Sequence, residues 1–415
     1  MIIKSIYLKI NNLLKLINLI IILSFNIIFY ITNNLKMKNR KNLLQKIKKY
    51  EKKINITEDN ISEFRRINSE NILLDKIEYN KTHYPDITVI LIIYNQAHCI
   101  HKALRSIQNQ SIKNLEIIII DDCSLDNSAN IITNYQKEDN RIIMIKHETN
   151  QGKIKSRSDG IRIATGKYIT VLDGDDALIH RDILLHSLYI ANLGDLDIVE
   201  FKIIIYKNAT FRNWHNRYPI QTNDITYQPE LRTKFFFLKD DYRYRAIQNR
   251  NVCGKIIKNQ VFKKVVDYIG PKYTEDFILS YEDTIMAVSL FQIAKSYYYT
   301  KESGYYYSKD EKKKKFFKNI KNYKSNKNMI RGMDQIKLLQ FLIEKTQNNK
   351  IERQLIYYEI MSINYYTSFY KYIKHNYNMV YNILDKMIKN RFLSKNQKQV
   401  LIYIKDNLME KEKKK

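Results

Sequence analysis

The chain has 415 residues, 44% hydrophobic and 27% charged. That is enough to bury one large or two medium cores, and it argues against a fibrous or disordered chain. The formal net charge is +28, from 71 Lys and Arg against 43 Asp and Glu. The surplus sits in the two flanks, the middle is nearly neutral and no recognition motif is present, so a nucleic-acid partner is not expected.

Residues 10–31, INNLLKLINLIIILSFNIIFYI, carry no charge from Leu16 to Ile31. No small-residue cleavage site follows, so residues 1–35 read as a single-pass transmembrane signal anchor. A buried core helix is the competing reading. Lys36, Lys38, Arg40 and Lys41 follow the run, and the positive-inside rule would keep that side cytosolic. Residues 36–84 form a basic stem in which KNLLQKIKKYEKKI has helical spacing.

From residue 85 the pattern changes. ITVILII, residues 87–93, is a short β-branched run that predicts a buried parallel strand. Ile100, Ala103, Leu104 and Ile107 share one face of a helix over 97–109. LEIIII at 115–120 predicts a second strand, and a helix through Tyr135 follows, capped by Ser124 or Asp126. RIIMIK at 141–146 is a third strand, residues 152–164 a third helix, and Tyr168 to Leu172 a fourth strand. Short loops between alternating strands and helices predict an open α/β sheet of parallel strands.

Ligands of such sheets bind beyond the carboxyl ends of the strands. There the chain places Tyr94-Asn95, then Asp121-Asp122-Cys123-Ser124, then Asp173-Gly174-Asp175-Asp176. Carboxylates after two strands on one edge predict a site. No glycine-rich phosphate loop is present, so a bound diphosphate would need a divalent cation, and hard oxygen ligands suit Mg²⁺ or Mn²⁺. The cysteines, Cys99, Cys123 and Cys253, lack CxxC spacing and do not suggest a zinc site or a disulfide framework.

The ordered set YN, DDxS, NxG, GxYI and DxDD over residues 86–195 resembles the family 2 glycosyltransferases. The resemblance implies a GT-A-type, Rossmann-like open sheet over a catalytic domain at 85–310; beyond it, apolar residues at helical spacing, as in MIRGMDQIKLLQFLIEK, predict a helical region at 311–415. It also implies a nucleotide-diphosphate sugar donor (UDP-sugar favoured), a glycan or lipid-linked acceptor, Mn²⁺ or Mg²⁺, and inversion. Carried over by motif, Tyr94, Asn95, Asp122 and Asp173 would hold the donor, with weak support from Lys255. Asp175, with Asp173, would hold the metal. Asp176 would lie behind the ligands or cap a helix. Asp283, beside Glu282 in SYEDT, would be the general base; both residues also suit a helix N-terminus.

Cys123 replaces the usual Gly of DDGS, and Asp159 stands where the family carries Asn. The QxxRW signature of processive synthases is absent, which implies transfer of single sugars. A lumenal placement, Golgi or ER in a eukaryote, would oppose the positive-inside reading. Five N-x-S/T sequons in so Asn-rich a chain do not decide it. An inactive, membrane-anchored scaffold of the same fold is the alternative. A sugar-nucleotide pyrophosphorylase would need a glycine-rich loop where IIYNQAHC stands.

Overall fold

A computed structural model describes residues 39–53, 84–207, 210–213, 225–228, 231, 251–278, 280–308, 334, 337–345, 377–389 and several positions between 395 and 409. The anchor segment, most of the stem and much of the C-terminal region lie outside these residues. Residues 39–53 are helical, as the stem spacing predicts, and belong to a compact unit of their own. Among the described residues, no helix is long and apolar enough to cross a membrane.

The second unit is built on one ten-stranded sheet. Its elements, in chain order, are β1 (Ile87–Ile93), α1 (Ile100–Gln108), β2 (Leu115–Asp121), α2 (Ser128–Glu138), β3 (Ile142–Lys146), α3 (Lys153–Ile163), β4 (Tyr168–Asp173), β5 (Ala177–Leu178), α4 (Ile183–Gly194), β6 (Ile198–Lys207), β7 (Thr210–Asn213), β8 (Thr226–Tyr227), β9 (Lys255–Lys258), α5 (Asn259–Ile269), α6 (Pro271–Thr274), α7 (Glu282–Ile293), β10 (Ser296–Tyr307) and α8 (Tyr377–Ile388). The strand order is β3-β2-β1-β4-β9-β6-β10-β5, with β7 on β6 and β8 on β10.

The first four strands are parallel, as expected. All seven residues of β1 are buried. Such strands lie between two layers of structure and read as continuous apolar runs. Registers Ile93↔Asp121 and Ile92↔Asp173 bring the ends of β1, β2 and β4 to one edge. Helix α1 turns Ile100, Ala103, Leu104 and Ile107 inward, the face its spacing predicts.

The expectation of a parallel sheet fails beyond β4. Strand β9 pairs antiparallel with both β4 and β6, while β10 runs parallel to β6. The sheet is mixed because β9 is inserted between β4 and β6, although it follows both in sequence. These strands also bury polar groups: Glu200 in β6, Lys255 in β9 and Glu302 in β10. They therefore lack the apolar runs that mark the first half.

The expected cap of α2 also differs. The helix starts at Ser128 after Asn127, with no side-chain cap. Asp126 instead accepts from the Ser128 and Ala97 amides, tying the β2 loop to the β1 loop. In the C-terminal region, residues 337–345 and Tyr377–Ile388 are helical, in agreement with the periodicity there.

Candidate active site

Three carboxylates gather at the end of β4. Ligand oxygens of Asp173, Asp175 and Asp176 lie within 4.8 Å of one another. Gly174 lets this turn form: a Cβ there would come 2.0 Å from Gln96 Oε1 and 2.8 Å from Ile93 Cγ2. Asp173 accepts from Lys153 Nζ at 2.7 Å on one oxygen and from Arg157 Nη2 at 3.0 Å on the other. Burial opposes ionisation of Asp173, but these two cations outweigh it and hold the carboxyl well below the usual range.

Asp176 is buried and neither caps a helix nor faces solvent. It accepts from the Tyr305 hydroxyl at 2.6 Å and from the Ser308 amide at 2.8 Å, which ties this turn to β10. Burial, then the charges of Asp175 and Asp173, push Asp176 well above the carboxylate range. Asp175 is only partly buried. A dication fits this donor set: the ligands are hard oxygens, and its charge would offset the repulsion among the three carboxylates.

The downstream pair comes from the helix that leads into β10. Tyr281, with φ 70°, turns the chain into α7, and Glu282 and Asp283 occupy its first turn. Asp283 Oδ1 accepts from Arg157 Nη1 at 2.6 Å, and its side chain stays 34% exposed. Glu282 is almost wholly buried. Burial first, then Asp283, push Glu282 up to about 7 against the pull of Lys153 and Arg157.

The residue that joins these parts was not among the sequence candidates. Arg157 sits on α3 with no exposed side-chain surface. One guanidinium nitrogen reaches Asp173 at the end of β4, and the other reaches Asp283 at the start of α7, 126 positions away in sequence. Its signal is faint: it is one of three basic residues in the polar stretch KIKSRSDG, which reads as a solvated helix face. Lys153, one turn earlier on the same face, was missed for the same reason.

The other predicted donor residues mostly organise loops. Tyr94 is 45% exposed at the rim. Asn95 adopts φ 54°; its amide donates to Ser124 Oγ and its Oδ1 accepts from the Leu125 amide. Asp122 accepts from His147 Nδ1 and from the Gln151 and Gly152 amides, so its carboxylate shapes the NQG loop. Gly152, at φ 84°, meets that carboxylate in a conformation suited to glycine.

Cys123 has φ 66°, which explains why glycine is the usual residue at this place. Asp159 pairs with Lys155 and lies 3.2 Å from His147 Nε2, so its extra charge is met locally. Lys255 does not open to the site. It is fully buried, 3.2 Å from Glu200 Oε2, and donates to the Asn251 and Cys253 carbonyls. Its place inside β9, between β4 and β6, commits its ammonium to these partners.

Residues 88–266 match the family described as glycosyl transferase family 2. These residues form a family 2 glycosyltransferase domain. An uncharacterized glycosyltransferase of Methanocaldococcus jannaschii is 35% identical over 117 residues, 28% of this chain and 40% of that protein. The GalNAc(5)-diNAcBac-PP-undecaprenol beta-1,3-glucosyltransferase of Campylobacter jejuni is 38% identical over 96 residues, 23% of this chain and 31% of that protein. The chain thus spans well under half the length of these curated relatives. The crystal structure of S. aureus TarS 1–349 is 15% identical, with a TM-score of 0.56, over 79% of this chain and 89% of that one. The family 2 domain therefore shares its fold with that structure, whose series includes complexes with UDP and UDP-GlcNAc.

Proposed function

We propose that this chain is an inverting, metal-dependent glycosyltransferase. It moves one sugar from a nucleotide-diphosphate donor, a UDP-sugar favoured, to a hydroxyl of a glycan, glycolipid or glycoprotein. The observation that carries this reading is the Arg157 bridge. One guanidinium spans the carboxylate at the donor edge, Asp173, and the carboxylate with the exposure a base needs, Asp283. A leaving diphosphate and an attacking hydroxyl must meet in one place, and this bridge joins the groups suited to each.

Asp175 is the first metal ligand in this reading. Asp173 has both oxygens engaged by cations, so it takes a share only if Lys153, 44% exposed, swings to the diphosphate. The dication, Mn²⁺ or Mg²⁺, supplies Lewis-acid stabilisation of charge on the leaving diphosphate. Tyr94 offers an exposed ring to the base, and Asp122 holds the loop beneath it.

Asp283 accepts the acceptor's proton while Arg157 orients it. Glu282, behind it, keeps the pocket from carrying two full negative charges at neutral pH. Single-sugar transfer follows the missing QxxRW signature. Membrane attachment rests on the apolar run at 16–31, and a lipid-linked acceptor gains support from the undecaprenol-linked substrate in the name of the Campylobacter relative.

The test is a donor screen. UDP- and GDP-sugars are incubated with the full chain and Mn²⁺, Mg²⁺ or chelator, and nucleotide release is measured. Release that needs the dication and one class of donor supports the reading. No release from any donor, with the fold intact by circular dichroism, sinks it in favour of a scaffold.

A further inference from the structure

A second cluster of ligand-type side chains lies outside the acidic edge. His180 follows β5, His186 sits in the first turn of α4, and Glu302 lies within β10. Their ligand atoms fall within 4.8 Å of one another. His186 Nδ1 is 2.8 Å from Glu302 Oε1, and His180 Nε2 lies against the same oxygen. The side chains of His180 and Glu302 are 5% and 1% exposed.

Two features make this cluster incomplete as protein alone. Both imidazoles converge on Oε1, and among the described residues Glu302 Oε2 is left buried without a hydrogen-bond partner. Among the described residues no Lys or Arg pairs with the carboxylate; its ionic partners there are the two imidazoles. A buried carboxylate needs a positive partner, either a proton on an imidazole or a metal ion.

We propose that His180, His186 and Glu302 bind a divalent transition metal, zinc in type, at a site separate from the donor site. Two imidazole nitrogens and one carboxylate are a zinc donor set, with a fourth position left for water or for the second carboxylate oxygen. Tetrahedral donors around zinc stand roughly 3.3 Å apart, within reach of this cluster by small side-chain rotations. Binding gives up one long contact, from the Asp182 amide to His180 Nδ1 at 3.2 Å, because Nδ1 carries the proton once Nε2 binds metal. The metal would clamp the chain between β5 and α4 to β10, the strand whose Tyr305, with Ser308 just after it, holds Asp176.

Co²⁺ titrated into the chelator-treated full chain tests this. The wild type and Asp175→Ala should each take up one equivalent with an intense visible d–d absorption, and Zn²⁺ should displace it. His186→Ala and Glu302→Gln should lose it, with affinity down by more than the ~10–100-fold expected for a merely supporting residue. No tetrahedral absorption in the wild type, or the same absorption in both ligand variants, overturns the site. If those variants fail to fold, the reading is made on Asp175→Ala alone: Zn²⁺ should raise its Tm and chelator should reverse the rise. A Tm that climbs on acidification through the imidazole range yet ignores Zn²⁺ assigns the neutralising role to a proton and refutes the proposal.

Discussion

The two halves of the sheet divide the labour of one site. In β1 to β4 the strands are apolar and parallel, and their chemistry lies entirely at the ends. In β9, β6, β10 and β5 ionisable groups lie inside the sheet: Lys255 beside Glu200, and Glu302 between two histidines. The first half supplies exposed geometry at a common edge; the second supplies buried braces, such as Tyr305 on Asp176. Substitutions at the first half's edge should therefore cost activity and little stability. Substitutions in the second half should cost stability first.

The largest effects are expected at two carboxylates, beginning with Asp175→Ala. This side chain is only partly buried at a strand-end turn, so the Tm should hold. Metal-dependent turnover should fall on the order of 10²–10³-fold, the scale of losing one electrostatic stabiliser of the transition state. Unchanged kcat with saturating Mn²⁺ would remove Asp175 from the metal site. Next comes Asp283→Asn, expected to lower kcat by roughly 10²–10⁴-fold while donor KM stays near wild type. Normal transfer by this variant would move the base to Glu282 or end the assignment.

The comparison breaks most cleanly at Lys255→Met. Breaking a buried pair by removing one partner leaves an uncompensated charge and costs about 3–5 kcal/mol. Chemical denaturation should show that loss, with kcat per folded molecule nearly intact. A large fall in kcat with unaltered stability would return Lys255 to the donor site, where the sequence resemblance put it.

The same division explains what could be read in advance. Runs such as ITVILII and LEIIII are legible because a parallel strand buried on both faces must be apolar throughout. Their ends are legible too, since carboxylates that interrupt such runs have few structural uses. Strand β9 was not legible: KIIK, residues 255–258, is too short to separate from a helix start by period, and its lysine reads as solvent-exposed until Glu200 is seen beside it. Arg157 was illegible for a related reason. Its two partners, Asp173 and Asp283, lie 16 and 126 residues away, and no local pattern encodes a contact so distant.

The smallest expected effect lies at Glu282, in the first turn of α7. Burial and Asp283 raise its folded-state pKa from 4.5 to about 7. A carboxyl with a raised folded pKa binds its proton more tightly when folded. Its contribution to stability is therefore fully present below about 4.5 and is lost as pH rises through about 7. Asp173 acts with the opposite sign: its depressed carboxyl loses stability only in more acid solution, as pH falls through its folded value. Between pH 4.5 and 7 the Glu282 trend can therefore be isolated by comparing the wild type with Glu282→Gln, a neutral side chain of the same shape. The variant should match the wild type near pH 5 and exceed it in Tm by a few degrees at pH 8, since about 1 kcal/mol shifts Tm by a few degrees in a domain of this size. A gap that is instead widest at pH 5 would mean that Glu282 is ionised and braced by Lys153 and Arg157. The proton on Glu282 would then not be what lets two carboxyls share the first turn of α7.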